Sequence, residues 1–273
     1  MSGTLAPGLH VAAGRPADIA AYDGWTGRWS RLFVPSLISA AKVVPDYRIL
    51  DVSTGTGEAA LMMLPVVGPS GIVVGADIAP AMVLGARDRL KSQSFYPVAA
   101  DGQALPFKDH TFDAVVCQLG LQFFPDPARG LAEFHRVLRR GRRAAVCVIS
   151  TPEKAPMWGI FADVVSRYVP ERRDLLHLSF ALADAGRLER MFFATGFQNV
   201  TVERMQREDT IDSFEEYWAP IETGVGSMPQ VYLSLPEAKR LLVREEMQNR
   251  LSRFASNGRL VMSVEMLIAA GTA

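Results

Sequence analysis

From residue 48 onward the chain alternates short apolar runs with segments whose apolar positions recur at helical spacing. Ahead of these, residues 16–44 carry Tyr22, Trp25, Trp29, Phe33 and Leu37 at three- and four-residue steps. That spacing predicts one buried helix face, ended by Pro45. Residues 48–52 form a compact apolar strand, followed by the turn Ser53-Thr54-Gly55-Thr56-Gly57 and a short helix over 58–64. Residues 72–76 predict a second strand ending in Asp77, and 80–91 a helix with proline in its first turn. Residues 96–100 predict a third strand, ending in Asp101, and 112–118 a fourth. A helix beginning near Asp126 places Leu131, Phe134, His135 and Leu138 on one face, and 143–150 predict a fifth strand.

Strands that are apolar throughout, alternating with amphipathic helices, imply a parallel α/β sheet covered on both faces and joined by right-handed crossovers. Ligands of such sheets bind beyond the carboxyl ends of the strands. Asp51, Asp77, Asp101 and Gln118 all fall on that edge. After residue 150 the rhythm changes: helices over 156–169 and 184–195, a strand over 197–205, and a last strand over 260–270. Between these two strands lies a helical stretch holding Trp218, Met228 and Tyr232. The expected organisation is an N-terminal tail and cap over 1–44, a core over 45–210 and 257–273, and a helical lid over 211–256.

Composition narrows the partners. Lys plus Arg and Asp plus Glu both total 29, so the net charge is zero, which argues against a protein built to neutralise nucleic-acid phosphates. Cys117 and Cys147 sit in apolar runs, as buried reduced thiols do, and supply neither a disulfide scaffold nor a zinc set. No metal is expected. Residues 1–14 lack the basic start and apolar core of a signal peptide, and no apolar run approaches the ~20 residues of a membrane span. The expectation is a cytoplasmic protein with a small-molecule substrate, and a homodimer through the lid is compatible with this layout.

Gly55 and Gly57, in the turn leaving the first strand, allow positive φ and close approach of backbone to a ligand. Alone they also satisfy a loose G-x-G-x-x-A dinucleotide pattern, and a tight turn needs no ligand. Asp77 sharpens the pattern, because a carboxylate there can accept from both hydroxyls of a ribose. Asp101 is placed to accept from an exocyclic amine. One aspartate at a strand end is ordinarily a cap or turn residue. Three in succession on one sheet edge favour a nucleoside site.

Residues 49–57 (Ile-Leu-Asp-Val-Ser-Thr-Gly-Thr-Gly) resemble the first motif of class I S-adenosylmethionine-dependent methyltransferases. Residues 75–82, 101–107, 112–116, 123–127 and 136–141 are similar to the later motifs of that family, in order. The resemblance covers residues 22–150 and extends to the ubiquinone/menaquinone carbon methyltransferases, whose N-terminal signature residues 22–25 do not match. It implies a Rossmann-like, doubly wound, mostly parallel seven-stranded sheet with an antiparallel last strand, and S-adenosylmethionine as cofactor. It also implies Asp77 on the ribose, Asp101 with Gly102 and Gln103 near the adenine, and Ile78 and Met82 sandwiching that base. Asp51, Ser53, Thr54, Gly55 and Gly57 would surround the methionine portion, Gln118 would form the floor, and Tyr22 would lie near the cofactor. Ser53 departs from the family pattern, where glycine is usual, as do Arg140 and Arg142 beside Gly141.

The acceptor is left open. Trp25, Phe123, Trp158, Trp218 and Met228, concentrated outside the core motifs, are candidates to line an apolar substrate pocket, although lid packing would use the same residues. Methyl transfer from a charged sulfonium needs alignment first, and a base only for a hydroxyl or carbon acid. Of His10, His110, His135 and His177, only His177 lies in the segments after residue 150 expected to choose the substrate, and it is the candidate base. The basic run from Arg136 to Arg143 reads as a helix end and solvated surface. Two other functions fit the same glycines: an NAD-type oxidoreductase, which lacks an evident substrate domain, and a non-catalytic S-adenosylmethionine-binding protein.

Overall fold

The computed structural model describes residues 21–224 and 226–273; His10 and the tail expected over 1–14 lie outside them. A short π-helical turn, Asp23–Gly27, leads into α1 (Arg28–Ala40). The three- and four-residue spacing read from the sequence puts Trp25, Trp29, Phe33 and Leu37 on its buried face. The helix ends before Pro45, at Ala40, because Lys42 turns the chain through φ 52°.

Five strands then run parallel: β1 (Arg48–Val52), β2 (Ile72–Asp77), β3 (Phe95–Ala99), β4 (Phe112–Gln118) and β5 (Leu138–Ile149). They are linked by α2 (Glu58–Val67), α3 (Pro80–Leu90) and α4 (Pro127–Val137), the last capped by the Asp126 carboxylate accepting from Arg129 N at 3.0 Å. Past β5 come α5 (Pro156–Tyr168), α6 (Arg173–His177), α7 (Ala185–Ala194) and β6 (Gln198–Ile211). Three helices follow, α8 (Phe214–Glu222), α9 (Ser227–Leu233) and α10 (Glu237–Leu251). The two-residue β7 (Ala255–Ser256) then turns into β8 (Arg259–Thr272).

The sheet order is β3-β2-β1-β4-β5-β8-β6, with β7 paired to β8. Only β8 runs against its neighbours, pairing Ile149 with Met266 on one side and Ile211 with Leu260 on the other. This is the Rossmann-like sheet with an antiparallel last strand, extended by the β7 hairpin. Side chains alternate across it, as the two-residue strand period requires. Leu50, Val52, Val115, Cys117, Val146 and Val148 join α4 and α7 in one apolar layer. Ile49, Ala114, Val116, Ala145, Cys147 and Ile149 join α1, α2, α5 and the later helices in the other. The strand order reverses between β1 and β4, which opens a crevice at their carboxyl ends.

Three segments differ from the sequence expectation. The α2 helix continues through Pro65 to Val67, and β5 begins at Leu138 rather than 143. β6 runs to Ile211, six residues past the expected end. It is an edge strand whose Glu203, Arg204, Gln206 and Glu208 reduce the apolar signal, and its partners are polar across the ladder: Arg204–Glu265 at 3.1 Å and Gln206–Ser263 at 2.6 Å. Of the basic run, Arg136 stands in the last turn of α4 and Arg139 and Arg140 are exposed, as expected, but the run continues into β5 and most of it is paired. Arg136 binds Glu133 and Asp109, Arg139 and Arg142 bind Asp113, and Arg143 donates to Ala40 O. Among the described residues no helix is long and apolar enough to cross a membrane, and no cluster of metal-ligating side chains occurs.

Candidate active site

The crevice is built on the turn between β1 and α2. Asp51, the last but one residue of β1, is fully buried; Thr54 Oγ1 donates to its Oδ2 at 2.7 Å, and its Oδ1 has no partner. The backbone then passes through left-handed conformations at Ser53 (φ 57°), Gly55 (φ 55°) and Gly57 (φ 84°). Gly57 is needed for its φ of 84°, which other residues take only under strain, and a Cβ there would also displace the Leu90 side chain, 2.3 Å from Cδ1. A Cβ on Gly55 would meet only Tyr22 Cε1, at 3.9 Å, leaving its backbone open on the crevice side. Ser53 takes up the same conformation without glycine's freedom, and its side chain lies against Gly120 in the turn after β4.

Asp77 ends β2 across from this turn. Gly55 N donates to Oδ2 and Ala79 N to Oδ1, both at 2.9 Å. Each carboxylate oxygen therefore keeps one lone pair for a further donor. Neither Asp51 nor Asp77 forms an ion pair among the described residues. Burial pushes both above the ordinary carboxylate range, Asp51 to about 7, against the opposing Thr54 hydrogen bond and with a further push from Asp77. Burial, then Asp77 and Asp23, push the Tyr22 phenol up as well, so it stays protonated above Gly55.

The other expected cofactor contacts are distributed along the same edge. Ile78 and Met82, half-buried, flank the start of α3. Asp101 Oδ1 accepts from Gln103 N at 2.8 Å, and Gln103 Oε1 accepts from Asp126 N at 2.8 Å, so Gln103 ties the β3 loop to the α4 cap. Gly102 is buried where a Cβ would collide with the Phe124 ring at 2.4 Å. Gln118 donates from Nε2 to Ser30 O at 3.2 Å, while its Oε1 is buried and unpartnered.

Besides Thr56 of the glycine turn, four residues that sequence reasoning passed over complete the site. Asp23 Oδ1 accepts from Thr56 Oγ1 at 2.7 Å, and Arg89 bridges Asp23 at 3.4 Å and Glu58 at 2.6 Å. This brace fixes the N-terminal helix over the glycine turn, and it joins residues too far apart in sequence for any local pattern. Gln122 is the fourth: it is buried, and neither end of its amide has a partner. Its signal is burial alone, since it stands in an irregular turn.

Of the residues proposed to line a substrate pocket, Trp25, Trp158, Trp218 and Met228 all enter one buried cluster. Trp25 packs edge-on to Phe161 and Tyr217, and Trp218 to Tyr232, with centroids 5.3–5.8 Å apart. Phe123 lies outside that cluster, half-buried in the turn after β4. His177 ends α6 with Nε2 buried and unpartnered, and burial holds its pKa below the usual imidazole value. His135 is a packing residue, edge-on to Phe197 at 5.1 Å.

The donor set has a definite chemistry. Asp51 Oδ1 and Gln118 Oε1 are buried acceptors without donors, and two carboxylates stand without cations. They fit a ligand that brings hydrogen-bond donors and positive charge.

Fold and site together define a Rossmann-like nucleoside-binding protein of the class I methyltransferase kind. Residues 27–207 match the ubiE/COQ5 methyltransferase family, and the chain belongs to it. It is 32% identical over 158 residues to the ubiquinone/menaquinone biosynthesis C-methyltransferase UbiE of Marinomonas sp. (strain MWYL1), covering 56% of this chain and 63% of that protein. It is 37% identical over 145 residues to the demethylmenaquinone methyltransferase of Thermus thermophilus, covering 52% of this chain and 64% of the relative. The match thus spans less than two thirds of either relative's length. In fold it resembles the Haemonchus contortus phosphoethanolamine N-methyltransferase 2 solved with S-adenosyl-L-methionine. The TM-score there is 0.59 at 15% identity, covering 94% of this chain and 57% of that one.

Proposed function

We propose that this chain transfers the methyl group of S-adenosylmethionine to a small-molecule acceptor. The observation that carries the reading is the pair of carboxylates without cations, Asp51 and Asp77, flanking the left-handed glycine turn. In this reading Asp77 accepts from the ribose hydroxyls with its remaining lone pairs. Asp101 accepts from the adenine amine, with Gly102 and Gln103 beside the base and Ile78 and Met82 on its faces. Asp51 Oδ1 and Gln118 Oε1 take the ammonium of the methionine portion, cradled by Ser53, Thr54, Gly55 and Gly57 and covered by Tyr22.

The bound cofactor supplies a methyl group on a positively charged sulfur, a good leaving group. What the chain supplies is alignment and exclusion of water. Trp25, Trp158, Trp218 and Met228 serve as the buried packing behind the site, and Phe123, half-buried in the turn after β4, is the candidate left to face an acceptor. Where the acceptor must lose a proton, His177 is the base, kept neutral by burial and so able to accept at Nε2.

Thermal unfolding with S-adenosylmethionine, S-adenosylhomocysteine and NAD in separate samples tests this. A ligand at 100 times its Kd stabilises by about 2.7 kcal/mol, a Tm rise of roughly 5–10 °C for a chain of this size. Stabilisation by the two adenosyl ligands, lost in Asp77→Ala, is the expected result. Stabilisation by NAD alone overturns the reading. Adenosyl binding with no methylated product from a broad acceptor panel would make the chain a binding protein.

A further inference from the structure

Among the described residues, Gln122 is a buried amide with no partner at either end, and the cofactor reading gives it no role. It is only 2% exposed, and neither Oε1 nor Nε2 has a partner among the described residues. A buried amide left unsatisfied at both ends is rare and needs a cause. Its place supplies one. Gln122 stands in the middle of the Leu121–Phe123 turn, immediately beyond the carboxyl end of β4. Two residues earlier, Gly120 lies so close to Ser53 that a Cβ would come within 2.3 Å of the Ser53 Cβ. The turn is therefore seated directly on the loop that would cradle the methionine portion. On its other side it packs against the Leu178–Phe180 turn. That turn follows His177, whose Nε2 is a further buried atom without a partner.

We infer that Gln122 is a positioning residue for the acceptor: its amide hydrogen-bonds an uncharged oxygen on an otherwise apolar acceptor. This rests on the methyl-transfer reading of the site. An amide offers both donors and an acceptor, so it suits a hydroxyl, which can use either, or a carbonyl. It carries no charge. The other buried polar side chains at these two turns, Gln118 and Ser179, are neutral too, and no Lys or Arg is among the buried polar residues. A carboxylate or phosphate placed against the amide would be desolvated with no buried Lys or Arg among the described residues to offset it. Leu121 and Phe123 flank Gln122 in its turn, and the facing turn carries the buried Phe180, so the two turns are largely apolar. An amide cannot take a proton at ordinary pH, so Gln122 orients the acceptor and does not activate it.

The test uses three probes on one ring, 1-naphthol, naphthalene and 1-naphthoate, titrated calorimetrically into the whole protein with S-adenosylhomocysteine present. Wild type is expected to bind 1-naphthol about tenfold more tightly than either companion, the scale of one neutral hydrogen bond. Gln122→Met, similar in length and apolar, should erase that preference and leave S-adenosylhomocysteine affinity within about twofold. Its Tm should stay level or rise, since a buried unsatisfied amide is removed; a structural amide would give a fall. Three results overturn the proposal: wild type not distinguishing the probes, Gln122→Met keeping the preference, or the variant losing affinity for S-adenosylhomocysteine. If S-adenosylhomocysteine fails to bind wild type at all, the methyltransferase reading falls by that titration. The same naphthol comparison on the free protein then decides whether Gln122 reads a neutral oxygen.

Discussion

Asp51 concentrates the tension of the site in one carboxyl group. It is fully buried, holds a single side-chain hydrogen bond, and titrates near pH 7 because burial penalises its charged form. Its folded value lies above the unfolded value of 3.8, so between these the folded state holds a proton that the unfolded state has released. Stability is then lost as pH rises through that window, from about 4 to about 7, and Asp77 shifts in the same direction. Asp51→Asn should therefore raise the Tm of the ligand-free protein at pH 8 while abolishing its response to S-adenosylmethionine. Scanning calorimetry at pH 5 and pH 8 checks both halves; a lower Tm for the variant at pH 8 would refute the assignment. Ser53 is a second point of strain. Its φ of 57° favours glycine, yet its side chain is wedged against Gly120. Ser53→Gly should leave stability level or raise it by up to about 1 kcal/mol, measured by urea unfolding. These two residues also divide what the sequence made legible. Asp51 was readable because it ends an apolar strand before two glycines. Gln122 was not, because its significance lies in missing partners, which no pattern of residue types encodes.

At the scale of elements, legibility follows regularity of environment. The strands β1, β2 and β4 are buried on both faces, so each appears in the sequence as an unbroken apolar run with nearly correct ends. The edge strand β6 carries charges along its length and was read six residues short. The Asp23–Thr56–Arg89–Glu58 brace was invisible for another reason: it joins three separate elements through single polar atoms. Two junctions between elements give predictions. Gly57 opens α2 at φ 84°, with Leu90 Cδ1 2.3 Å from its Cβ position. Gly57→Ala should cost roughly 1–3 kcal/mol, seen as a reduced urea midpoint with an unchanged slope. Past β6, Glu222 Oε1 accepts from both Trp218 Nε1 at 2.6 Å and Tyr232 Oη at 2.8 Å, holding α8 to α9. Glu222→Ala frees two buried aromatic donors, but the carboxylate is exposed, so water replaces part of the loss. The expected cost is about 1 kcal/mol, with tryptophan fluorescence shifting to longer wavelength because Trp218 becomes wetter. An unchanged emission maximum would show that apolar packing alone sets this junction.

Across the whole molecule, the two thiols report how the site and the core are coupled. Both are fully buried and unbridged. Cys117 ends in the layer beneath the glycine turn, and burial, with Asp51 nearby, pushes it up to about 12. Cys147 lies on the opposite face of the sheet, with its sulfur 3.4 Å from Met266 Sδ, and burial raises it too. Neither can react as a thiolate in the closed structure, so labelling must pass through an opening of the sheet. If the crevice opens as part of the same cooperative unit as the β5–β8 core, the two labelling rates are equal, and a ligand bound at β1 and β4 slows both. At 100 times its Kd, S-adenosylhomocysteine then lowers each rate about a hundredfold, because it binds only the closed form. If the crevice opens separately, Cys117 alone is protected and Cys147 keeps its unliganded rate. The parallel registry of β4, unbroken from Ala114 to Cys117 against β1 and to Gln118 against β5, favours a single unit. We therefore expect equal protection of both thiols, read by mass spectrometry after timed alkylation of wild type, Cys117→Ala and Cys147→Ala. Protection confined to Cys117 would show that the crevice breathes on its own while the sheet stays closed.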